Sequence, residues 1–266
     1  MRHPLSVFAF AACLMMANAA SAQESTEPHV PEVGQPGKNV VWVPTPPALV
    51  EMMLDVAALT PDDFLIDLGS GDGRIVIAAA KRGARARGVE YNHLMVDLAR
   101  KNAEAAGVAG RAEFVQGDMY EADISDATVM GLFLLPGNMF KLREKFLLTM
   151  RPGTRIVANE YGVDGWRPDR IEKLPDCQEW CTALLYIVPA RIHGAWKAPE
   201  GELVFDQVYQ FTNGTLAGTT IADGRLNADA LTFRVGEARY DVRVRGDVME
   251  GTVTRGGSAS PWRATR

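Results

Sequence analysis

The residues best placed by type and spacing to do chemistry are Asp67-Leu68-Gly69-Ser70-Gly71-Asp72-Gly73-Arg74. An apolar stretch from Phe64 to Leu68 leads into glycines at alternate positions, and helix-forming residues follow from Arg74. Glycine lets the main chain turn sharply and approach a ligand where a Cβ would collide. Asp67 can accept hydrogen bonds from loop amides or from a ligand ammonium. A dinucleotide fingerprint would need glycine at the sixth position counted from Gly69, and Arg74 stands there. That fails, and a nicotinamide oxidoreductase fails with it. Glu90 ends the next apolar run about 20 residues beyond the glycines, where a carboxylate can take ribose hydroxyls. Asp118 follows in Gln116-Gly117-Asp118-Met119. Read blandly, Glu90 is a solvated acid at a helix start and Asp118 a turn former.

These residues need a frame to hold them. Leu49, Met53, Val56 and Leu59 recur at helical spacing, and Thr60-Pro61-Asp62-Asp63 stops the run. Strands are predicted over 64–68, 85–90, 112–116, 128–134 and 154–159. Helices are predicted from Arg74 to Gly83, from the cap Asn92 to Gly107, and after Asn138. Such alternation with short links predicts a doubly wound, mostly parallel α/β sheet that binds ligands at the carboxyl edge of its strands. From Trp196 the pattern changes to short β-type runs at 203–211, 231–235, 240–244 and 248–253. Asn213-Gly214, Asp223-Gly224 and Gly246-Asp247 read as hairpin turns between them. Residues 195–266 are expected to form a small all-β appendage; alternatively, their first strand completes the main sheet and the rest wraps over it.

The alternating acidic-x-Gly-x-Gly-x-Gly run resembles motif I of class I S-adenosylmethionine-dependent methyltransferases. Val43-Pro44-Thr45-Pro46, the glycine loop with Ile75-Val76-Ile77, Gly88-Val89-Glu90 and Leu132-Phe133-Leu134-Leu135-Pro136 are similar to the mitochondrial lysine methyltransferases. Those enzymes modify the ATP synthase c-subunit and the adenine nucleotide translocase, and the likeness covers residues 41–166. It implies a Rossmann-like seven-stranded sheet and S-adenosylmethionine as cofactor. The cofactor would be held by Asp67, Gly69, Ser70, Gly71, Gly73, Glu90, Asp118 and Met119, with Glu90 at the ribose and Asp118 facing adenine. It also implies a substrate mouth at Trp42, Pro44, Leu134, Leu135 and Pro136. Thr45 either hydrogen-bonds cofactor or amine, or caps the first helix. Glu160 and Tyr161, ending the fifth strand, are the nearest polar candidates for orienting a nucleophile. The acceptor is expected to be a protein lysine or a small molecule; a non-catalytic binding module of the same fold is the competing expectation.

Composition sets the outer bounds. The 266 residues are 47% apolar and 23% charged with net charge −5, which excludes a disordered, fibrous or polytopic chain and opposes a nucleic-acid partner. Arg2, the apolar run Leu5–Ala20 and Ala20-Ser21-Ala22 have the layout of a signal peptide cleaved after Ala22. A periplasmic or secreted protein is therefore expected, membrane-bound only if the segment stays uncleaved, with a leader over 23–40 and the methyltransferase-like unit over 41–194. Cys177 and Cys181 either form a disulfide in that compartment or remain free thiols. No metal is expected, since His29, His93 and His193 are scattered. The tryptophans, Trp180 among them, are read as packing residues, with Trp42 flanking the presumed mouth.

Overall fold

Strand β1 (Phe64–Leu68) is buried on both faces, so Leu65 joins one apolar layer while Ile66 and Leu68 join the other. The computed structural model describes residues 30–38 and 41–266. The signal-like segment 1–22 and its cleavage point lie outside the described residues.

Around β1 stand β2 (Arg85–Glu90), β3 (Ala112–Gln116), β4 (Val129–Leu132) and β5 (Arg155–Asn159), all parallel. Strand β7 (Thr182–Ile187), antiparallel to its neighbours, and the edge strand β6 (Arg170–Lys173), which runs in the direction of β1–β5, complete a seven-stranded sheet in the order β3-β2-β1-β4-β5-β7-β6. Helices α1 (Pro47–Val56), α2 (Arg74–Lys81) and α3 (His93–Ala105) supply the layer on one face, and α4 (Pro136–Thr149) supplies the other. Asn92 caps α3 by accepting from the Leu94 amide at 3.0 Å. The helix predicted after Asn138 starts earlier, because Pro136 occupies its first turn, where a missing N–H costs nothing.

The C-terminal chain is more than an appended meander. Strands β8 (Gly194–Ala198), β9 (Gly201–Val208), β10 (Phe211–Leu216), β11 (Thr219–Asn227), β12 (Ala230–Val235), β13 (Ala238–Arg245), β14 (Val248–Arg255) and β15 (Ser258–Thr265) form a closed antiparallel barrel. Its first strand pairs with β15 and β9, and does not extend the main sheet. Asn213-Gly214 and Asp223-Gly224, expected as turns, lie inside β10 and β11 where the register shifts. Curling eight strands into a small barrel forces close backbone approach. A Cβ on Gly214 would stand 1.9 Å from the Val204 carbonyl oxygen, and one on Gly224 2.2 Å from that of Thr212. Trp196, Phe205, Phe233, Tyr240 and Trp262 fill the interior. The barrel touches the sheet unit through Tyr209, stacked on Trp166 at 5.3 Å, and through Gln210, which donates to the Arg167 carbonyl at 2.7 Å.

Candidate active site

At the carboxyl edge of the sheet lies a cavity of about 310 Å³, large enough for a nucleoside-sized ligand. Its floor is the glycine loop. Gly71 has φ +54°, and a Cβ there would stand 2.7 Å from Trp42 Nε1. Glu90 fastens the loop to β2: one carboxylate oxygen accepts from the Gly71 amide at 3.1 Å and the other from Asn92 at 2.9 Å. Asp67 is buried, and desolvation pushes its carboxyl well above the usual range, with the nearby Glu90 and Asp72 charges adding to the rise. Ser70 Oγ is buried over Gly88, 2.5 Å from where a Cβ there would stand, without a partner among the described residues. Gly73 does not line the cavity. Its missing Cβ leaves room for the Phe114 ring, 2.6 Å from where that atom would sit, so Gly73 serves helix packing.

Residues 35–38 and 41–45 cover the loop as a strap. Arg74 secures it, donating to the Thr45 carbonyl at 2.8 Å while its Nε and Nη2 bind Asp72 at 2.9 and 2.5 Å. Thr45 is not the helix cap, a position held by Pro46; its hydroxyl lies in the cavity wall, 3.5 Å from Asn159 Nδ2. At the far end Asp118 accepts from Lys38 at 2.7 Å and from the Tyr120 amide at 2.9 Å, and these bonds hold its carboxyl below the usual range. Lys38 also lies 4.4 Å from the Tyr91 ring centroid. Met119, Trp42, Pro44, Leu134 and Leu135 line the cavity, whereas Pro136 opens α4 outside it.

Of the three catalytic candidates, Thr45 and Tyr161 line the cavity and Glu160 does not: its carboxylate accepts from the Cys181 and Thr182 amides, each at 3.1 Å. It is committed to the backbone of a short loop closed by the Cys177–Cys181 disulfide, whose Cα atoms stand 5.7 Å apart. That loop delivers Trp180, read from sequence as packing, to the cavity wall beside Phe133 and Tyr161. Sequence offered no signal for Trp180, because the sheet order that brings residue 180 to residue 133 depends on β6 and β7. Arg74 and Lys38, the cations on the wall, are each paired with a wall carboxylate, so no unpaired base awaits a phosphate there. A glycine cradle, the partnerless Ser70 hydroxyl and acids at both sides of the loop fit a phosphate-free nucleoside bearing a cationic amino-acid end.

Comparison with known proteins agrees. A family model described as the ANTKMT methyltransferase domain matches residues 67–170. A protein-lysine N-methyltransferase of Saccharolobus islandicus is 42% identical over 152 residues, 56% of this chain and 94% of that protein. The lysine N-methyltransferase of the ATP synthase c-subunit from Mus musculus is 40% identical over 40% of this chain, which spans 42% of the mouse enzyme's length. A crystal structure described as an RNA methyltransferase from Salinibacter ruber with S-adenosyl-L-homocysteine is 46% identical. It aligns with TM-score 0.54 over 56% of this chain and 96% of that one. The cofactor is therefore S-adenosylmethionine, and the chain belongs to the ANTKMT-type family of S-adenosylmethionine-dependent methyltransferases.

Proposed function

We propose that this enzyme is a protein-lysine N-methyltransferase working in the cell envelope. The observation that supports it most is the 42% identity spanning nearly the whole archaeal protein-lysine N-methyltransferase. The cofactor supplies an electrophilic methyl group on a sulfonium. Glu90 would hold the ribose hydroxyls, Asp118 the adenine edge, and Asp67 with Ser70 the amino-acid end. Leu134, Leu135, Pro44 and Trp42 exclude water around the transferring methyl. Displacement at a sulfonium needs alignment more than acid–base help, once the acceptor amine arrives neutral. Because Glu160 does not line the cavity, the amine's proton would pass to solvent. The apolar N-terminal run and the disulfide support an oxidising compartment. A mature terminus at Gln23 in an envelope fraction checks that location; cytosolic protein beginning at Met1 would sink it.

Incubating the protein with methyl-labelled S-adenosylmethionine and either poly-L-lysine or an RNA of equal length tests the chemistry. Methyllysine in acid hydrolysates of the peptide is expected. Label in the RNA alone would overturn the assignment, and cofactor binding with no transfer to any envelope extract would favour a binding module. Within the cofactor site, Glu90→Ala removes both the ribose acceptor and the Gly71 tether. Calorimetry should show affinity for S-adenosylmethionine weakened by about 1–3 kcal/mol, and an unchanged affinity would mean that Glu90 does not face the ribose.

A further inference from the structure

Three large aromatic rings stand together on the cavity wall, each partly exposed: Phe133 after β4, Tyr161 after β5, and Trp180 in the disulfide loop. Phe133 and Tyr161 have centroids 6.4 Å apart and planes 20° from parallel. Trp180 closes the group at 5.5 and 5.9 Å, tilted 56° and 61° to the other two. Rings of this size ordinarily bury their faces in a core. Here the loop is built to keep one of them at the cavity: the disulfide closes it, Glu160 binds its last amide and the first amide of β7, and Trp180 itself has φ +57°. The sheet order sets the trio on the β4–β5 side of the glycine loop, opposite Glu90 and Asp118 on the β2–β3 side.

We infer that Phe133, Tyr161 and Trp180 form the acceptor subsite, a three-ring receptor for an alkylammonium nitrogen. This rests on the lysine reading above and specifies how that site recognises its substrate. As the amine lone pair forms the new N–C bond, the S–C bond breaks and its electron pair stays on sulfur. Positive charge thus moves onto the nitrogen, which loses a proton to water before any further transfer. Ring faces carry negative quadrupole density, and cations bind within about 6 Å of a centroid, so the trio stabilises charge as it builds in the transition state. A carboxylate would lose its hydrogen bond as methyl groups replace N–H, whereas ring faces hold a methylated nitrogen as well. Successive methylation of one lysine follows.

The test titrates protein saturated with S-adenosylhomocysteine with Nα-acetyl-Nε-trimethyllysine amide, and with its neutral isostere carrying carbon in place of the charged nitrogen. The cation is expected to bind at least about tenfold tighter than the isostere. Trp180→Ala should erase that preference and Trp180→Phe should keep most of it, both with wild-type affinity for S-adenosylmethionine. Equal binding of cation and isostere by the wild-type protein would overturn the inference without recourse to any variant. So would an unaffected Trp180→Ala, loss of cofactor affinity in that variant, or displacement of trimethyllysine by a trinucleotide. Trimethyllysine binding without methyl transfer to poly-L-lysine would sink the enzymatic assignment and leave the receptor standing. Transfer without charge-selective binding would do the reverse.

Discussion

Gly71→Val is expected to abolish S-adenosylmethionine binding while leaving the fold intact. Gly71 has φ +54°, where a β-branched residue is a conformational outlier and any L-residue costs about 1–2 kcal/mol. A side chain there also meets the Trp42 indole, with Nε1 at 2.7 Å and Cδ1 at 2.9 Å from the new Cβ. Trp42 belongs to the strap and can swing aside, so the clash is relieved at the expense of the cavity rather than the core. The Gly71 amide that binds Glu90 shifts with it. Together these remove at least about 2.7 kcal/mol of binding, a hundredfold in affinity, as calorimetry would read it. The φ strain should lower the thermal midpoint of the cofactor-free protein by only a few degrees, leaving it folded. Gly73→Ala makes the opposite case: its Cβ meets the buried Phe114 ring and Ala99, so it should lower the midpoint first. Wild-type affinity in Gly71→Val would mean the glycine loop is not the cofactor's cradle.

Local chemistry made much of this site legible in advance. The acidic-x-Gly-x-Gly-x-Gly run, the acid ending β2 and the acid after β3 are signals carried by short stretches. The parallel sheet places their loops on one edge, so their order along the chain became their order in space. Helices with caps and stops were legible for the same reason, as Asn92 and its bond to Leu94 illustrate. What escaped depends on contacts distant in sequence. Arg170–Lys173 is a charged edge strand whose pattern shows no core face, and without it the position of Trp180 could not be deduced. Barrel closure is likewise a property of all eight strands. Asn-Gly and Asp-Gly favour hairpin turns locally, but in β10 and β11 the demand for backbone approach at a curved wall prevailed. Glu160 misled in a third way: its type and its place at a strand end suggested chemistry, while its side chain lies outside the cavity with one oxygen accepting from the Cys181 and Thr182 amides.

That contrast with Glu160 gives Asp67 its interest, since Asp67 is buried on β1 with carboxylate neighbours. Burial first, then the Glu90 and Asp72 charges, raise its carboxyl well above the ordinary value. The folded protein therefore holds a proton that the unfolded chain has released. Stability conferred in acid is lost as pH rises through the ordinary carboxylate range toward the raised value. Asp67→Asn keeps the shape and removes the ionisation, so it should raise the thermal midpoint of the cofactor-free protein at pH 8 by about 2–6 °C, with little change at pH 4. On the proposed role of an ionised Asp67 as counter-charge to the cofactor's cationic amino-acid end, the same substitution should weaken S-adenosylmethionine binding at least about tenfold. Wild-type affinity should accordingly rise with pH as Asp67 ionises, and the variant should lose that slope. A variant less stable than wild type at pH 8 would refute the buried-charge account, and one that binds cofactor with the wild-type pH profile would remove Asp67 from the binding site. If both expectations hold, Asp67 is a residue the fold retains at a cost to its own stability, because the cationic cofactor supplies the charge that burial withholds.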